Sequence, residues 1–183
     1  LSGIFFSLAF LFKVPAVFDF ACLLVLLFLI TSKKALGKTI CHSFFLVCGF
    51  LIPLFLTIFY YAWQKALGFY LQAAFFQNLP YLSSWGANQE KIGNFPLGLL
   101  IRGLLLLTLI IIIFFQRQKI SLKTKFIFLW FFFGLFAALL SSRPYPHYLF
   151  QVLPAFALSF GFLNLPKVKI WAKLLPVWFF LVL

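Results

Sequence analysis

The stretch from residue 141 to 148, Ser-Ser-Arg-Pro-Tyr-Pro-His-Tyr, packs one arginine, one histidine and two tyrosines into six residues. Its two prolines fix the backbone φ angle and remove two amide donors, so the other side chains are displayed on a rigid turn. Arg143 offers a planar fork that suits a phosphate, and His147 and Tyr148 add hydrogen-bonding groups. The alternative is an aromatic belt at a membrane surface with an anchoring arginine. The residue types therefore favour either a phosphate site or such an anchor.

Two further cations interrupt apolar runs. Lys13 follows the first apolar stretch, and Arg102 lies about 9 Å inside the outer end of a later one. An ionisable side chain in such surroundings is a functional candidate, although a long side chain can also extend to the polar boundary. For Lys13 we leave open whether it snorkels or faces an anionic headgroup, and for Arg102 snorkelling is favoured. Asp19 lies about one helical turn below Lys13 and is expected to pair with it.

Carboxylates are almost absent, since Asp19 and Glu90 are the only two. Paired-carboxylate catalysis and carboxylate-bound metals need at least two acids close together. The sequence also lacks a glycine-rich phosphate loop, a histidine pair at zinc spacing and a Gly-x-Ser-x-Gly elbow. We therefore predict no catalytic residue and no metal site within this chain, and the sequence identifies no cofactor. Three cysteines lie in apolar segments without paired spacing, so no disulfide is expected: Cys22, Cys41 and Cys48.

The elements that must position these side chains follow from the composition, which is 65% hydrophobic and only 9% charged. That leaves too little polar surface to coat a water-exposed globule. Only helices or closed barrels can cross lipid, because unpaired backbone groups find no partner there. Residues 104–115 are apolar on every side rather than alternating, which indicates helices. We predict an all-α fold: a polytopic bundle of transmembrane helices in one domain over 1–183, with membrane lipids as neighbours.

About five complete spans and two truncated ones are predicted, with a helix break near Lys13 and Pro15. A single kinked helix through Lys13 is the alternative to that break. Because both termini fall inside apolar runs, the chain is expected to be a piece of a longer protein. The complete spans are 15–30, 40–61, 96–115, 126–140 and one that ends near residue 163, and the truncated ones are 1–12 and the segment after 173.

The formal charge of +13 is explained by the orientation of these spans. Ten of the 15 lysines and arginines fall in the loops at 31–39, 116–125 and 164–173, which lie on one side if the spans alternate. By the positive-inside rule these loops are cytoplasmic, and 62–95 and 141–147 face outward. Nucleic-acid binding is therefore not expected, and we predict a multi-pass protein of the plasma membrane.

The outer loop at 62–95 is predicted to contain one helix of its own. Apolar residues recur at helical spacing over 63–78, while glutamines and a lysine occupy the other face. This pattern is typical of a helix that lies along the membrane interface.

Two stretches resemble the C-type glycosyltransferases, polytopic enzymes that use a polyprenyl-phosphate sugar as donor. The first is Ser-Ser-Arg-Pro-Tyr-Pro-His-Tyr-Leu-Phe-Gln-Val-Leu-Pro-Ala-Phe-Ala-Leu at 141–158. The second is Ser2-Gly3 followed by Leu-Ala-Phe-Leu-Phe-Lys at 8–13 and Pro-Ala at 15–16, which is similar to a small-residue helix of that family that ends in lysine. The segment around Asn78 and Tyr81 is a weaker match. The family includes protein O-mannosyltransferases and bacterial lipid A aminoarabinose transferases.

The resemblance implies that Lys13 and Tyr148 line a cavity for the lipid phosphate and that Arg143 is the basic residue of the same turn as Tyr148. His147 precedes Tyr148 on that turn. Some members place an arginine near residues 78–81, which this chain lacks, so Lys91 or Arg102 would have to substitute. The family's catalytic acid lies in an earlier outer loop, upstream of this chain. The implied function is thus the donor-lipid side of a membrane glycosyltransferase. A transporter or flippase of lipid-linked anions and a purely structural subunit remain alternatives.

Overall fold

The computed structural model of the chain describes residues 1–78, 91–92, 95–140 and 146–163, and these are almost entirely helical. Two paired segments of two residues each, Lys91–Ile92 and Phe95–Pro96, form the β-structure of the described residues. The predicted all-α class is confirmed for this part of the chain. Its α-helices are α1 (Ser2–Phe12), α2 (Val17–Ile30), α3 (Leu36–Trp63), α4 (Leu67–Ala74), α5 (Leu97–Phe115), α6 (Leu122–Ala138) and α7 (Leu153–Leu163). Short 3₁₀ helices occupy Val14–Ala16, Lys33–Ala35, Phe76–Asn78 and Pro146–Gln151.

Two of these helices, α3 and α5, are long and apolar enough to cross a membrane. They have 28 and 19 residues, which correspond to about 42 and 28 Å at about 1.5 Å per residue. The helices at the other predicted spans are shorter, with 14 residues in α2, 17 in α6 and 11 in α7. The structure thus supplies two helices of crossing length where the sequence predicts five complete spans.

The helix break near Lys13 is confirmed. Helix α1 ends at Phe12, and Lys13 has an extended backbone with φ −151° and ψ 109°. Pro15 lies in the first turn of the 3₁₀ helix that follows, where the missing amide leaves no hydrogen bond unmade. The alternative of one kinked helix through Lys13 is wrong, because the chain leaves the helical conformation there altogether.

Helix α6 is the centre of the bundle. Its residues from Phe126 to Ala138 are all apolar or glycine. A helix that is apolar all round either is buried in protein or spans a membrane, and most of these residues are buried within the bundle. One face packs on α2 and α5, and the other packs on α7 and the residue before it. The first cluster contains Cys22, Leu26, Leu29, Ile113, Leu129 and Phe133, and the second contains Phe131, Phe132, Leu135, Ala138, Val152 and Ala155.

Helix α1 packs along α3 through glycine. Gly3 is buried against the backbone of α3, and its Cα lies 3.6 Å from the position that a Cβ on Gly49 would occupy. Small residues let two helix backbones approach closely, which favours helix association where lipid surrounds the helices. Phe20 of α2 joins this pair to the rest of the bundle, since its ring stacks 4.5 Å from that of Phe50.

We expect Gly3→Ala to destabilise the fold. An added Cβ would overlap the Leu46 carbonyl oxygen and lie 2.8 Å from the Phe50 amide nitrogen. Overpacking of this kind costs about 1–3 kcal/mol. The matched control is Gly37→Ala in the first turn of α3, where an added Cβ meets no atom within 4 Å. A thermal scan can follow a thiol dye reacting with buried Cys22, after the two other cysteines are replaced by serine. Equal midpoints for the two variants would contradict the close packing.

The helix predicted over 63–78 is shorter than expected. Trp63 belongs to α3, the outer-loop helix α4 spans only Leu67–Ala74, and a 3₁₀ turn follows. The division occurs because Lys65 adopts a left-handed conformation with φ 56°, which ends α3 as such residues commonly end helices. Helix α4 packs by Tyr70, whose ring stacks 4.4 Å from that of Tyr61. Burial, and to a lesser extent Tyr61, raises the pKa of Tyr70.

Candidate functional site

Lys13 lies at the exposed end of α1, where the chain turns into the 3₁₀ helix and then α2. Its backbone N–H donates to the Ala9 carbonyl at 2.9 Å, and its own carbonyl accepts from the Ala16 N–H at 2.9 Å. These two bonds close the end of one helix and the start of the next. The local sequence Lys-Val-Pro-Ala therefore determines the backbone conformation from which the Lys13 side chain extends.

Asp19, in the first turn of α2, is the only acidic residue whose environment the structure describes, since Glu90 lies outside the described residues. One carboxylate oxygen accepts from the Trp130 indole Nε1 and the other from the Gln151 Nε2, both at 3.0 Å. Neither donor is Lys13, the partner that the sequence suggests. The carboxylate is thus held by two neutral donors that come from α6 and from the segment just before α7.

Gln151 makes a second contact that bears on the predicted site. The same Nε2 donates to the Pro15 carbonyl oxygen at 3.3 Å. Gln151 is the last residue of the 3₁₀ helix Pro146–Gln151, and Pro15 is two residues beyond Lys13. This amide therefore brings the segment that follows the outer turn to the helix break, although 136 positions separate the two in the chain.

The predicted site is described only in part. Arg143 lies outside the described residues. His147 and Tyr148 have their backbone in the 3₁₀ helix that ends at Gln151, but their side chains lie outside what the structure describes. The structure brings their segment to the break beside Lys13, and the convergence of the side chains on one phosphate stays a prediction.

Arg102 has a structural contact of its own. Its Nη1 donates to the Leu139 carbonyl oxygen at 2.8 Å, at the end of α6. A cation at a helix C-terminus satisfies a free carbonyl and complements the helix dipole. Arg102 also borders an apolar groove of about 210 Å³ between α5 and α6. The guanidinium therefore connects α5 to the end of α6. The interpretation of Arg102 as a snorkelling side chain does not predict this contact between helices.

Sequence reasoning missed Trp130 and Gln151. Trp130 sits within an apolar run and carries no signal of its polar contact, whereas Gln151 is a lone polar residue at the start of a predicted span. A glutamine in that position is a usable signal, because its amide needs a partner once it leaves water. Among the described residues, no group of three or more histidine, cysteine, aspartate or glutamate side chains could hold a metal ion.

A scan against protein-family models, a search of curated proteins and a search of solved structures each find no match for the chain.

Proposed function

We propose that this chain is part of the membrane domain of a glycosyltransferase that takes its sugar from a polyprenyl-phosphate donor at the outer face. The membrane setting is supported by α3 and α5, whose most apolar stretches are only 11% and 6% buried within the structure. A core helix of a soluble protein would be mostly covered. Large apolar side chains such as Phe55 and Leu107 point outward instead, at 62% and 52% exposure, and lipid is the medium that favours them.

The basic loops further support a topology with about five complete spans, in which α4 lies along the outer membrane interface. The shorter helices α2 and α7 would cross with help from the 3₁₀ helices beside them. Local thinning of the bilayer would help these two helices and α6.

The observation that carries the functional proposal is the Gln151 contact with Pro15. It links the segment after the outer turn to the break after Lys13, and these are the two stretches that resemble C-type glycosyltransferases. In the proposed site, the Lys13 ammonium and the Arg143 guanidinium bind the phosphate of the lipid donor, with Tyr148 as a hydrogen-bond donor. His147 and Arg102 are secondary candidates.

The proposed reaction is a displacement at the anomeric carbon of the sugar. The bond from that carbon to the phosphate oxygen breaks, and a bond to an acceptor hydroxyl oxygen forms. The hydroxyl proton passes to a carboxylate that the family resemblance assigns to an earlier outer loop. Polyprenyl phosphate leaves with its electron pair, and fixed cations at the phosphate stabilise the charge that develops there.

Both a glycosyltransferase and a transporter of lipid-linked anions must bind the lipid phosphate. Binding of polyprenyl phosphate to the intact protein in lipid nanodiscs tests that requirement, because it does not depend on the sugar. Liposomes that contain the intact protein and polyprenyl-phosphate mannose or aminoarabinose then distinguish sugar transfer from transport of the donor. We expect free polyprenyl phosphate to be released as the sugar passes to an acceptor hydroxyl or to water, whereas a transporter would move the donor intact between leaflets. Absence of polyprenyl-phosphate binding would leave the structural subunit as the better explanation.

A further inference from the structure

The side chain of Gln151 is held in one orientation by its two partners. Both the Asp19 carboxylate oxygen, at 3.0 Å, and the Pro15 carbonyl oxygen, at 3.3 Å, are acceptors. Only the nitrogen of the glutamine amide can donate to them, so the amide cannot rotate by half a turn without losing both bonds. The contact is therefore directional as well as close.

The other oxygen of the Asp19 carboxylate also accepts a hydrogen bond. Trp130 of α6 donates to its second oxygen at 3.0 Å, and α6 is the most buried helix of the described residues. A hydrogen bond to an ionised acceptor is stronger than one between neutral groups. Asp19 thus connects the buried centre of the bundle to Gln151.

The segment so held carries two of the proposed phosphate ligands. Tyr148 precedes Gln151 by three residues of 3₁₀ helix, which corresponds to about 6 Å along the helix axis. On the other side of the contact, Lys13 precedes Pro15 by two residues. A shift of Gln151 would move one half of the site relative to the other.

We propose that Asp19 is a positioning residue of the phosphate site: through Gln151 it holds the segment that carries His147 and Tyr148 beside the helix break that carries Lys13. This inference rests on the proposed function for its ligand. The Asp19 carboxylate accepts hydrogen bonds from protein groups and does not itself touch the phosphate. Its effect on ligand binding is therefore indirect and requires Gln151.

The test compares variants of the intact protein in lipid nanodiscs for binding of tritiated polyprenyl phosphate. Asp19→Asn keeps an oxygen for Trp130 but turns a donor toward the Gln151 donor. We expect Asp19→Asn to raise the Kd about tenfold, which is the size of effect that the loss of a hydrogen bond to a charged group produces. Gln151→Leu, which removes both contacts, should raise the Kd at least as much.

Two further variants separate positioning from a merely structural role. Trp130→Phe removes the other donor to the same carboxylate and leaves the Gln151 donor in place, so it should lower the melting temperature. Because Trp130 is coupled to Gln151 only through Asp19, the Kd of this variant should rise by less than that of Asp19→Asn. The double variant Asp19→Asn/Gln151→Glu reverses donor and acceptor, and it should recover part of the affinity lost in Asp19→Asn. If Asp19→Asn and Trp130→Phe lower the melting temperature alike and neither changes the Kd, the positioning role is overturned.

A distance measurement makes the result independent of any ligand. Spin labels at Phe12 and Phe150, which are 92% and 67% exposed, would replace these residues in a variant whose native cysteines are changed to serine. We expect a narrow distance distribution that broadens in Gln151→Leu. Broadening without binding of polyprenyl phosphate in any variant would refute the proposed function and leave the positioning contact standing. An unchanged distribution in Gln151→Leu would refute the positioning role even if the lipid binds.

Discussion

Two lysines in the middle of α5 are expected to prevent that helix from crossing a membrane. Leu104 and Leu107 lie near its midpoint and are 53% and 52% exposed, so their replacement removes little packing within the protein. A lysine at the centre of a spanning helix costs about 2.5–3.5 kcal/mol, so the variant Leu104→Lys/Leu107→Lys costs about 5–7 kcal/mol. The topology can be read in microsomes from a glycosylation acceptor inserted between α5 and α6. Glycosylation of that insert should rise, because the loop after α5 enters the microsome lumen when α5 fails to span the membrane.

The control places the same two lysines at the end of the same helix. Phe114 and Phe115 are 45% and 80% exposed and adjoin the basic loop, where a lysine side chain can reach water. Phe114→Lys/Phe115→Lys should therefore leave the topology unchanged. If α5 instead lay on the surface of a soluble fold, lysines at Leu104 and Leu107 would change stability by about 0.5 kcal/mol each or less. A soluble, folded variant with lysines at both central positions would overturn the membrane assignment.

Loss of the Lys13 ammonium is expected to weaken polyprenyl-phosphate binding by about 10- to 100-fold. This range follows from about 1.5–3 kcal/mol for a hydrogen bond to a charged group, at about 1.4 kcal/mol per tenfold in affinity. The measurement is the Kd of tritiated polyprenyl phosphate for Lys13→Ala in the intact protein. Lys13→Arg keeps the charge and should lose less affinity.

The matched control is Lys34→Ala, since Lys34 is also exposed but belongs to a different loop that is predicted to be cytoplasmic. Its Kd should stay within about twofold of the wild type, because screening weakens exposed charges beyond about 8–10 Å. If Lys13→Ala binds as tightly as the wild type, Lys13 is a snorkelling side chain and the phosphate site lies elsewhere.

The sequence alone located the helices wherever local chemistry decides their limits. The span predicted at 96–115 corresponds to α5 at Leu97–Phe115. An apolar run of this length bounded by polar residues specifies a helix both in a membrane and in a soluble core. The break after Lys13 was also predictable, since Pro15 cannot continue a helix that begins before it. Helix α6 begins four residues earlier than expected, at Leu122. There Ser121 accepts from the Thr124 N–H at 3.2 Å, and this cap outweighs the lysines that made the stretch resemble a loop.

What the tertiary structure alone decided is the set of partners of Asp19. Trp130 and Gln151 are 111 and 132 positions away in the chain, and nothing in their local sequence connects them to that carboxylate. The sequence suggests Lys13 because it is the nearest opposite charge along the chain, and proximity in sequence is the only distance that one sequence provides. Hydropathy is a property of each segment, so it predicts which residues form helices. The pairing of a donor with an acceptor depends on how those helices pack, which gives the Asp19 carboxylate two neutral donors and joins Gln151 to Pro15.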